Sequence, residues 1–456
     1  MADLKNIQSI YFIGIGGIGM SALARYFRHH GKTVSGYDRT ETILTRVLVE
    51  EGILVNYVDN PESVPKDVQL VVYTPAIPSD HKGLTYYREH GYELMKRSEV
   101  LGLITADTRN ICVAGTHGKT TISTMIAHIL RDSGLGSNAF LGGISVNYNT
   151  NFWSHPNNIC VVEADEYDRS FLKLHPDIAV ISSMDPDHLD IYGTAAAVKE
   201  AFIEFSKKIK AGGTLVQKHG LEVPKPEEGI QKLSYHLTDH NADVYTENMR
   251  IRSGKYIFDV QDPAGGMRDV RLNVGGWHNV ENALAAITAC RRLGLGGEKI
   301  IPALSSYRGV KRRFEYHVEG NGPIYIDDYA HHPRELEALI SSARELFPDR
   351  NMVVVFQPHL FSRTRDFAKG FAEVLDKADE VILLPLYPAR ELPIEGISSK
   401  TILDKMTEVR GMIMGKAEVL ERARKIREGE PVLFITAGAG DIDELVNPLT
   451  DILKTK

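Results

Sequence analysis

Short apolar runs alternate with helical periodicity along most of the chain. The runs that have the length of buried strands are Ile10–Ile13, Leu70–Tyr73, Ile111–Ala114, Ile159–Val162, Ile178–Ile181, Met352–Phe356, Val381–Leu384 and Val432–Ile435. Between them apolar residues recur at helical spacing, as in Met20, Leu23, Ala24 and Phe27, which is typical of one buried helix face. Continuous strand runs joined by helices predict parallel sheets covered on both faces. The pattern therefore predicts an α/β protein.

Three such series follow one another along the chain. The first finishes near residues 104–109, where a new strand leads into a glycine-rich loop, and the last begins around residues 320–326. We predict three domains, at residues 1–107, 108–318 and 319–456. The first and third are expected to be Rossmann-like, and the second to have a P-loop ATPase-type mixed sheet. Alternating segments within residues 242–273 predict a small antiparallel region in the second series.

A phosphate-binding motif stands between an apolar strand and an amphipathic helix. Its residues are Gly115, Thr116, His117, Gly118, Lys119, Thr120 and Thr121. Backbone N–H groups and the positive end of the following helix attract phosphate oxygens. Lys119 supplies a point charge, and the Thr120 hydroxyl can bind Mg²⁺. The Walker pattern requires glycine where Val113 stands, so this loop is a variant whose first glycine is Gly115.

Acidic residues follow two apolar strands of the same series. Glu163 ends one strand, and residues 185–190 (Asp-Pro-Asp-His-Leu-Asp) follow another. The carboxyl ends of parallel strands face the crevice that holds the phosphate loop. Carboxylate oxygens are the ligands that Mg²⁺ prefers. Each cluster alone also fits a polar helix-capping loop, but beside the phosphate loop both predict a position close to a metal.

A second glycine motif opens the first helix of the chain. Gly14, Gly16 and Gly19 fit the G-x-G-x-x-G pattern directly after a strand, with Gly17 inside it and Asp38 near the end of the next strand. This arrangement binds a pyrophosphate at a helix N-terminus and directs an acid to a ribose hydroxyl. The motif leaves NAD, FAD and UDP-sugars open as ligands.

Together these motifs resemble the Mur family of ATP-dependent amide ligases, and in detail its alanine-adding branch, over essentially the whole chain. The segment GIGGIGMS is similar to the family's uridine-nucleotide loop, which adds Met20 and Ser21 to that site. The segment GTHGKTT resembles its ATP loop. The resemblance implies that Glu163 and His188 approach two Mg²⁺ ions, together with Thr120.

Further segments resemble the family in the second half of the chain. By this resemblance His278, Asn279 and Asn282 bind the adenine. Arg313 contacts the γ-phosphate and Asp328 the ribose, while His331 lies near the reacting groups. His359 and Arg363 bind the amino acid; some members carry Arg where Leu360 stands, which leaves Arg363 as the carboxylate clamp.

The resemblance implies an enzyme that joins L-alanine to the carboxylate of UDP-N-acetylmuramate, with ATP and Mg²⁺, through an acyl phosphate. The catalytic residues would be Lys119, Glu163, His188, Arg313 and His331. The three domains would bind the UDP-substrate, ATP, and the amino acid with the nucleotide, in that order. The nearest alternative is the ligase that returns a recycled tripeptide to UDP-N-acetylmuramate. An NAD-dependent oxidoreductase and a non-catalytic nucleotide-binding regulator are more distant alternatives.

Composition limits the partners rather than the chemistry. Lys and Arg total 53 against 60 Asp and Glu, which gives a net charge of −7. A mildly acidic chain argues against nucleic-acid or anionic-membrane binding. No apolar run reaches the length of a membrane span, and the first residues lack a secretory signal pattern. We expect a cytoplasmic monomer or homodimer acting on small molecules, whose three scattered cysteines are buried thiols.

Overall fold

The computed structural model describes residues 4–186, 189–224, 227–389, 391–409 and 411–456. It divides into two compact units, which are treated separately below. The first comprises the chain up to residue 247 with residues 259–270 and 281–305. The second comprises residues 248–258, 271–280 and 306–456. Among the described residues, no helix combines the length and the apolarity that crossing a bilayer would require.

The first sheet is parallel throughout and has the strand order β3-β2-β1-β4-β5. Its elements are β1 (Ser9–Ile13), α1 (Ile18–His29), β2 (Thr33–Tyr37), α2 (Ile43–Glu50), β3 (Leu54–Asn56), β4 (Leu70–Tyr73), α3 (Lys82–Glu89), β5 (Leu94–Lys96) and α4 (Arg97–Asp107). The strand order reverses at β1, which lies between β2 and β4. A ligand crevice forms at such a switch point, beyond the carboxyl ends of the strands. The first glycine motif begins there.

The second sheet is mixed, as predicted. Its elements start with β6 (Arg109–Ala114), α5 (Lys119–Asp132), β7 (Asn138–Ser145), β8 (Thr150–Trp153), β9 (Ile159–Glu163), a 3₁₀ helix (Tyr167–Lys173), β10 (Ile178–Ile181), α6 (Leu189–Tyr192), α7 (Ala195–Ser206), β11 (Thr214–Lys218) and β12 (Gln231–His236). The order β12-β11-β10-β6-β9-β7-β8 is parallel except for the β7–β8 hairpin. Strand β6, which leads into the phosphate loop, is therefore central.

Three strands and two helices follow: β13 (Val244–Arg252), β14 (Lys255–Gln261), β15 (Met267–Leu272), α8 (Trp277–Arg292) and α9 (Gly297–Ser306). The strands occupy the region that was predicted to be antiparallel. However, β13 pairs with β12 in parallel, through Tyr235 with Val244.

The third sheet has the order β16-β17-β21-β18-β19-β20, and only the edge strand β16 is antiparallel. Its elements are β16 (Glu315–Val318), β17 (Ile324–Asp328), α10 (Pro333–Leu346), β18 (Asn351–Phe356), α11 (Phe361–Leu375), β19 (Glu380–Leu383), α12 (Lys400–Leu403), β20 (Met412–Ile413), α13 (Lys416–Arg424), β21 (Val432–Ala437), a 3₁₀ helix (Asp441–Leu445) and α14 (Val446–Leu453). The apolar runs predicted as strands lie in strands, except that Leu384 follows the last residue of β19. Cys112, Cys160 and Cys290 are buried free thiols.

Candidate functional site

The phosphate loop is held by close contacts between its glycines and neighbouring segments. Gly118 has φ +83° and directly precedes α5, so the free N–H groups of the first helical turn face the loop. A Cβ on Gly115 would overlap the Ser182 hydroxyl, which accounts for glycine at this position. At Gly118 a Cβ would lie 2.6 Å from Asn282 Oδ1. Asn282, which was predicted to bind adenine, therefore contacts the phosphate loop in the first unit.

The chain after β10 braces the loop through hydroxyl groups. The Ser183 hydroxyl accepts the His117 N–H at 2.8 Å and is hydrogen-bonded to the Thr116 hydroxyl at 2.9 Å. The Asp185 N–H donates to the Thr116 hydroxyl at 3.2 Å. Sequence reasoning missed this role of the serines because they belong to no motif. The predicted metal ligand His188 lies outside the described residues.

Lys119 is bound by a carboxylate that the sequence did not single out as a site residue. Its Nζ lies 2.8 Å from Glu166 Oε1 and 2.7 Å from Oε2, and it also donates to the Gly115 carbonyl at 2.7 Å. Glu166 is only 1% exposed. The Tyr192 hydroxyl donates to the Glu166 carbonyl at 2.6 Å, and burial raises the pKa of this tyrosine to about 12. These contacts fix the lysine at the mouth of the loop.

Two oxygen ligands of the predicted metal meet beside the loop. The Thr120 hydroxyl donates to Glu163 Oε1 at 3.1 Å, and the Gly142 N–H donates to Oε2 at 3.0 Å. Glu163 is the last residue of β9, as predicted. A hydroxyl and a carboxylate next to a phosphate loop are a donor set that suits Mg²⁺.

The first glycine motif leads into α1 at the switch point of the first sheet. Gly14 has φ +88°, and the Gly16 N–H donates to Asp38 Oδ2 at 2.7 Å. Asp38 was expected to face a ribose, but here its carboxylate accepts a hydrogen bond from the loop itself. The side chains of Met20 and Ser21 are buried, and the Ser21 N–H donates to the Gly17 carbonyl at 2.8 Å. Gly17 is the N-cap of α1.

Arg97 and Asn151 support this loop from outside it. A Cβ on Gly19 would lie 2.7 Å from Arg97 Nη1, and Arg97 pairs with Asp165 at 3.4 Å. The Asn151 amide donates to the Ile18 carbonyl at 2.5 Å. The first and second predicted domains therefore meet at the first glycine motif.

The second unit contains the other predicted residues, beginning at the first turn of α8. Asn279 donates to the Gly275 carbonyl at 2.6 Å, so its amide is tied to the turn before the helix. The His278 ring packs close against Gly276. Both positions agree with the predicted helix start.

Asp328, at the end of β17, carries a carboxylate with two backbone donors. It accepts the Phe314 N–H and the Ala330 N–H, each at 2.7 Å. Burial nevertheless raises its pKa to about 6, although the nearby Arg313 opposes this shift. Arg313 itself is exposed. Arg312, in contrast, donates to the buried Asp327 carboxylate at 3.1 Å and so has a structural role.

The residues predicted to bind the amino acid lie together in this unit. The His331 and His359 ring centroids are 6.1 Å apart, and Arg363 Nη1 lies 3.4 Å from His359 Nδ1. The Tyr387 ring stacks on His359 at 5.9 Å. His331 Nδ1 is hydrogen-bonded to the Tyr329 carbonyl at 2.9 Å.

Three family models match consecutive parts of the chain. Residues 9–109 match the Mur ligase family catalytic domain, residues 113–290 the Mur ligase middle domain, and residues 312–440 the Mur ligase glutamate ligase domain. Both glycine loops fall within the first two matches.

Relatives are similar over the full length. A UDP-N-acetylmuramate–L-alanine ligase of Flavobacterium johnsoniae is 48% identical over 99% of this chain and 99% of its own. The crystal structure of a UDP-N-acetylmuramate–alanine ligase from Thermotoga maritima is 28% identical, covers 99% of this chain and 100% of its own, and has a TM-score of 0.82. A murein peptide ligase from Psychrobacter arcticus shares the fold at 20% identity, with coverage of 98% and 99% and a TM-score of 0.65.

Proposed function

The chain belongs to the Mur ligase family, and from this premise we propose that it joins L-alanine to the carboxylate of UDP-N-acetylmuramate, using ATP. The observation that carries the proposal is the pair of phosphate-type loops in the first unit. One opens α1 and has the form that binds a nucleoside diphosphate substrate, and the other opens α5 with Lys119 and Thr120. A dehydrogenase does not require the second loop, and a simple ATPase does not require the first.

The chemistry requires activation of a carboxylate. A carboxylate is a poor electrophile, so transfer of the γ-phosphoryl group gives an acyl phosphate, which the amine of alanine then attacks with loss of phosphate. Lys119 would neutralise charge on the transferring phosphoryl group, and such charge stabilisation supplies most of the catalysis in phosphoryl transfer. Arg313 is proposed for the γ-phosphate and His331 for accepting a proton from the ammonium group.

Thr120 and Glu163 are proposed to hold Mg²⁺, with His188 as a further ligand carried over from the family resemblance. The ion would neutralise phosphate charge when bound. Glu166 keeps Lys119 in place, while the Gly142 N–H orients the Glu163 carboxylate. The two glutamates of this acidic segment thus have different proposed roles: Glu166 holds Lys119, and Glu163 binds the metal.

The adenine is proposed to bind His278, Asn279 and Asn282, and the ribose Asp328. The amino acid is proposed to bind His359 and Arg363, with the UDP moiety on Gly14–Ser21 and Asp38. We further propose domains at residues 1–107, 108–318 and 319–456, action in the cytoplasm on small-molecule substrates, and a monomer or homodimer.

The test is phosphate release from ATP and UDP-N-acetylmuramate with L-alanine, with the tripeptide L-Ala-D-Glu-diaminopimelate, or with no acceptor. Release with L-alanine, together with a matching mass increase of the sugar nucleotide, supports the proposal. Turnover with tripeptide alone would assign the chain to the recycling reaction instead. A folded, ATP-binding protein that is inactive with both acceptors would contradict both ligase functions.

A further inference from the structure

A cavity of about 640 Å³ lies in the first unit, away from both phosphate loops. Arg25 and Arg28 of α1 and Arg131 of α5 line it. The two glycine motifs stand at the opposite, N-terminal ends of the same helices. At 1.5 Å per residue, the 12 residues of α1 and the 14 of α5 separate the cavity from the loops by roughly 15–20 Å. It is therefore a separate feature.

The cavity wall carries positive charge that the protein does not neutralise. Arg28 and Arg131 are exposed, and neither has a carboxylate within ion-pair distance among the residues that the structure describes. Arg25 differs from them because it is buried, pairs with Glu51 at 2.6 Å and donates to Asn151. The two exposed guanidinium groups are thus available to an anion, while the third is part of the wall.

Two polar groups in the wall also lack partners. The Ser137 hydroxyl and the Trp153 indole N–H have no hydrogen-bond partner in the described part of the chain. Ser137 is 0% exposed and Trp153 is 7% exposed, and both line the cavity. Buried polar groups are nearly always hydrogen-bonded in folded proteins. Both atoms are shielded from solvent, so they form a polar layer directly behind the cavity surface.

The rest of the wall is apolar and aromatic. Ile53, Phe152 and the Trp153 ring line it. The Arg131 guanidinium lies 4.1 Å from the Tyr148 ring centroid and 5.5 Å from that of Trp153, which holds it beside the aromatic wall. A volume of this size is typical of sites for small organic molecules and exceeds what an inorganic ion needs. Guanidinium groups bind phosphates and carboxylates in planar, charge-assisted pairs.

We propose that this cavity binds a small organic anion, in which a phosphate or carboxylate is attached to a flat ring. The anion would pair with Arg28 and Arg131, and the ring would lie against Trp153 and Phe152. Arginines in the last turn of a helix also complement the helix dipole. That role accounts for the positions of Arg28 and Arg131 but not for the aromatic wall beside Arg131.

The chain offers a selective reporter, because Trp153 and Trp277 are its only tryptophans. In W277F the fluorescence comes from Trp153 alone, and phenyl phosphate serves as the probe. We expect a saturable change in Trp153 emission, with affinity at least about tenfold weaker in W277F/R28Q/R131Q. Phenol and inorganic phosphate should each bind at least about tenfold more weakly than phenyl phosphate. K119M, added to W277F, should leave the titration unchanged.

Calorimetric titration of the unsubstituted chain provides a second measurement that does not depend on W277F folding. Absence of saturable binding in both experiments would overturn the proposal and leave the arginines with the helix-dipole role. Loss of binding with K119M but not with R28Q/R131Q would place phenyl phosphate in the nucleotide loop and also overturn it. Equal affinity for inorganic phosphate would contradict the requirement for a ring.

Discussion

The Lys119 ammonium group lies 2.8 Å and 2.7 Å from the two carboxylate oxygens of Glu166. The carboxylate is almost completely buried, and the lysine side chain is 15% exposed. The phosphate-loop lysine is thus ordered by a buried ion pair within the protein itself. A group that is held in place before the ligand arrives loses less entropy on binding.

Removal of both partners of this pair should cost no more than removal of one. K119M and E166Q should each lower the free energy of unfolding by about 3 kcal/mol, because each leaves a buried charge or dipole unpaired. The double variant should cost about as much as one single variant, which gives a coupling energy of about 3 kcal/mol. Urea unfolding followed by circular dichroism measures the cycle.

The exposed pair Lys377–Glu337, 2.6 Å apart with both side chains about half exposed, is the matched control. Its cycle should give a coupling energy below about 1 kcal/mol, since solvent screens surface pairs. Additive costs at Lys119 and Glu166 would show that the pair contributes nothing to stability.

Gly142 controls the position of the proposed metal ligand. A Cβ at this residue would overlap the Glu163 carboxylate, which now accepts the Gly142 N–H. Gly142→Ala should therefore displace the carboxylate from Thr120 and raise the Mg²⁺ concentration for half-maximal activity about tenfold. Gly415→Ala is the control, because its φ is −79° and its Cβ would come no closer than 3.5 Å to Glu418. An unchanged Mg²⁺ dependence in Gly142→Ala would exclude Glu163 as a ligand.

Sequence pattern predicted the parts of the fold that depend on local order. The apolar runs became strands, and the amphipathic helix predicted after the phosphate loop begins directly after Gly118. Strands, turns and helix starts could be predicted because each has a typical pattern of residues within one short segment of the sequence. The antiparallel edge strand β16 and the β7–β8 hairpin were not predicted, because their pairing depends on distant partners.

Side-chain partners inside the candidate site were harder to predict. Glu163 and Glu166 stand three residues apart in one acidic run, yet one contacts Thr120 and the other Lys119. Arg312 and Arg313 are adjacent, but Arg312 has φ +59° and turns its guanidinium to Asp327. Backbone conformation and burial decide which partner each side chain contacts. The spacing of residues in the sequence does not show either of them.

Asp328 should make the free energy of unfolding depend on pH. Burial raises its pKa to about 6, above the value of about 3.9 expected in an unfolded chain. Folding therefore favours the protonated form of Asp328. Its contribution to the free energy of unfolding is complete below about pH 4 and is lost as the pH rises through 6. Relative to D328N, the natural chain should lose about 2 kcal/mol of unfolding free energy between pH 4 and about 6.5.

Asp366 is the control, because its pKa is shifted in the opposite direction to that of Asp328. Asp366 is paired with Arg365, which lowers its pKa, so its contribution is lost as the pH falls. The contribution of Asp366 to stability is lost only below about pH 4, so D366N and the natural chain should give parallel curves between pH 4 and about 6.5. Urea midpoints of the natural chain, D328N and D366N across this range test both expectations. Parallel pH curves for the natural chain and D328N would show that Asp328 ionises normally.

Arg363 and Arg365 provide a matched pair for the proposed amino-acid site. Arg363 is half-buried and contacts His359, whereas Arg365 is exposed and bound by Asp366 at 2.7 Å. A hydrogen bond to a charged group contributes roughly 1.5–3 kcal/mol, so R363Q should raise the KM for L-alanine by about 10- to 100-fold. R365Q should change it by less than about twofold, and neither should alter the KM for ATP. Steady-state phosphate release at varied L-alanine measures both. An R363Q enzyme with normal KM for L-alanine would remove Arg363 from the carboxylate site and leave His359 and His331 as the groups to test.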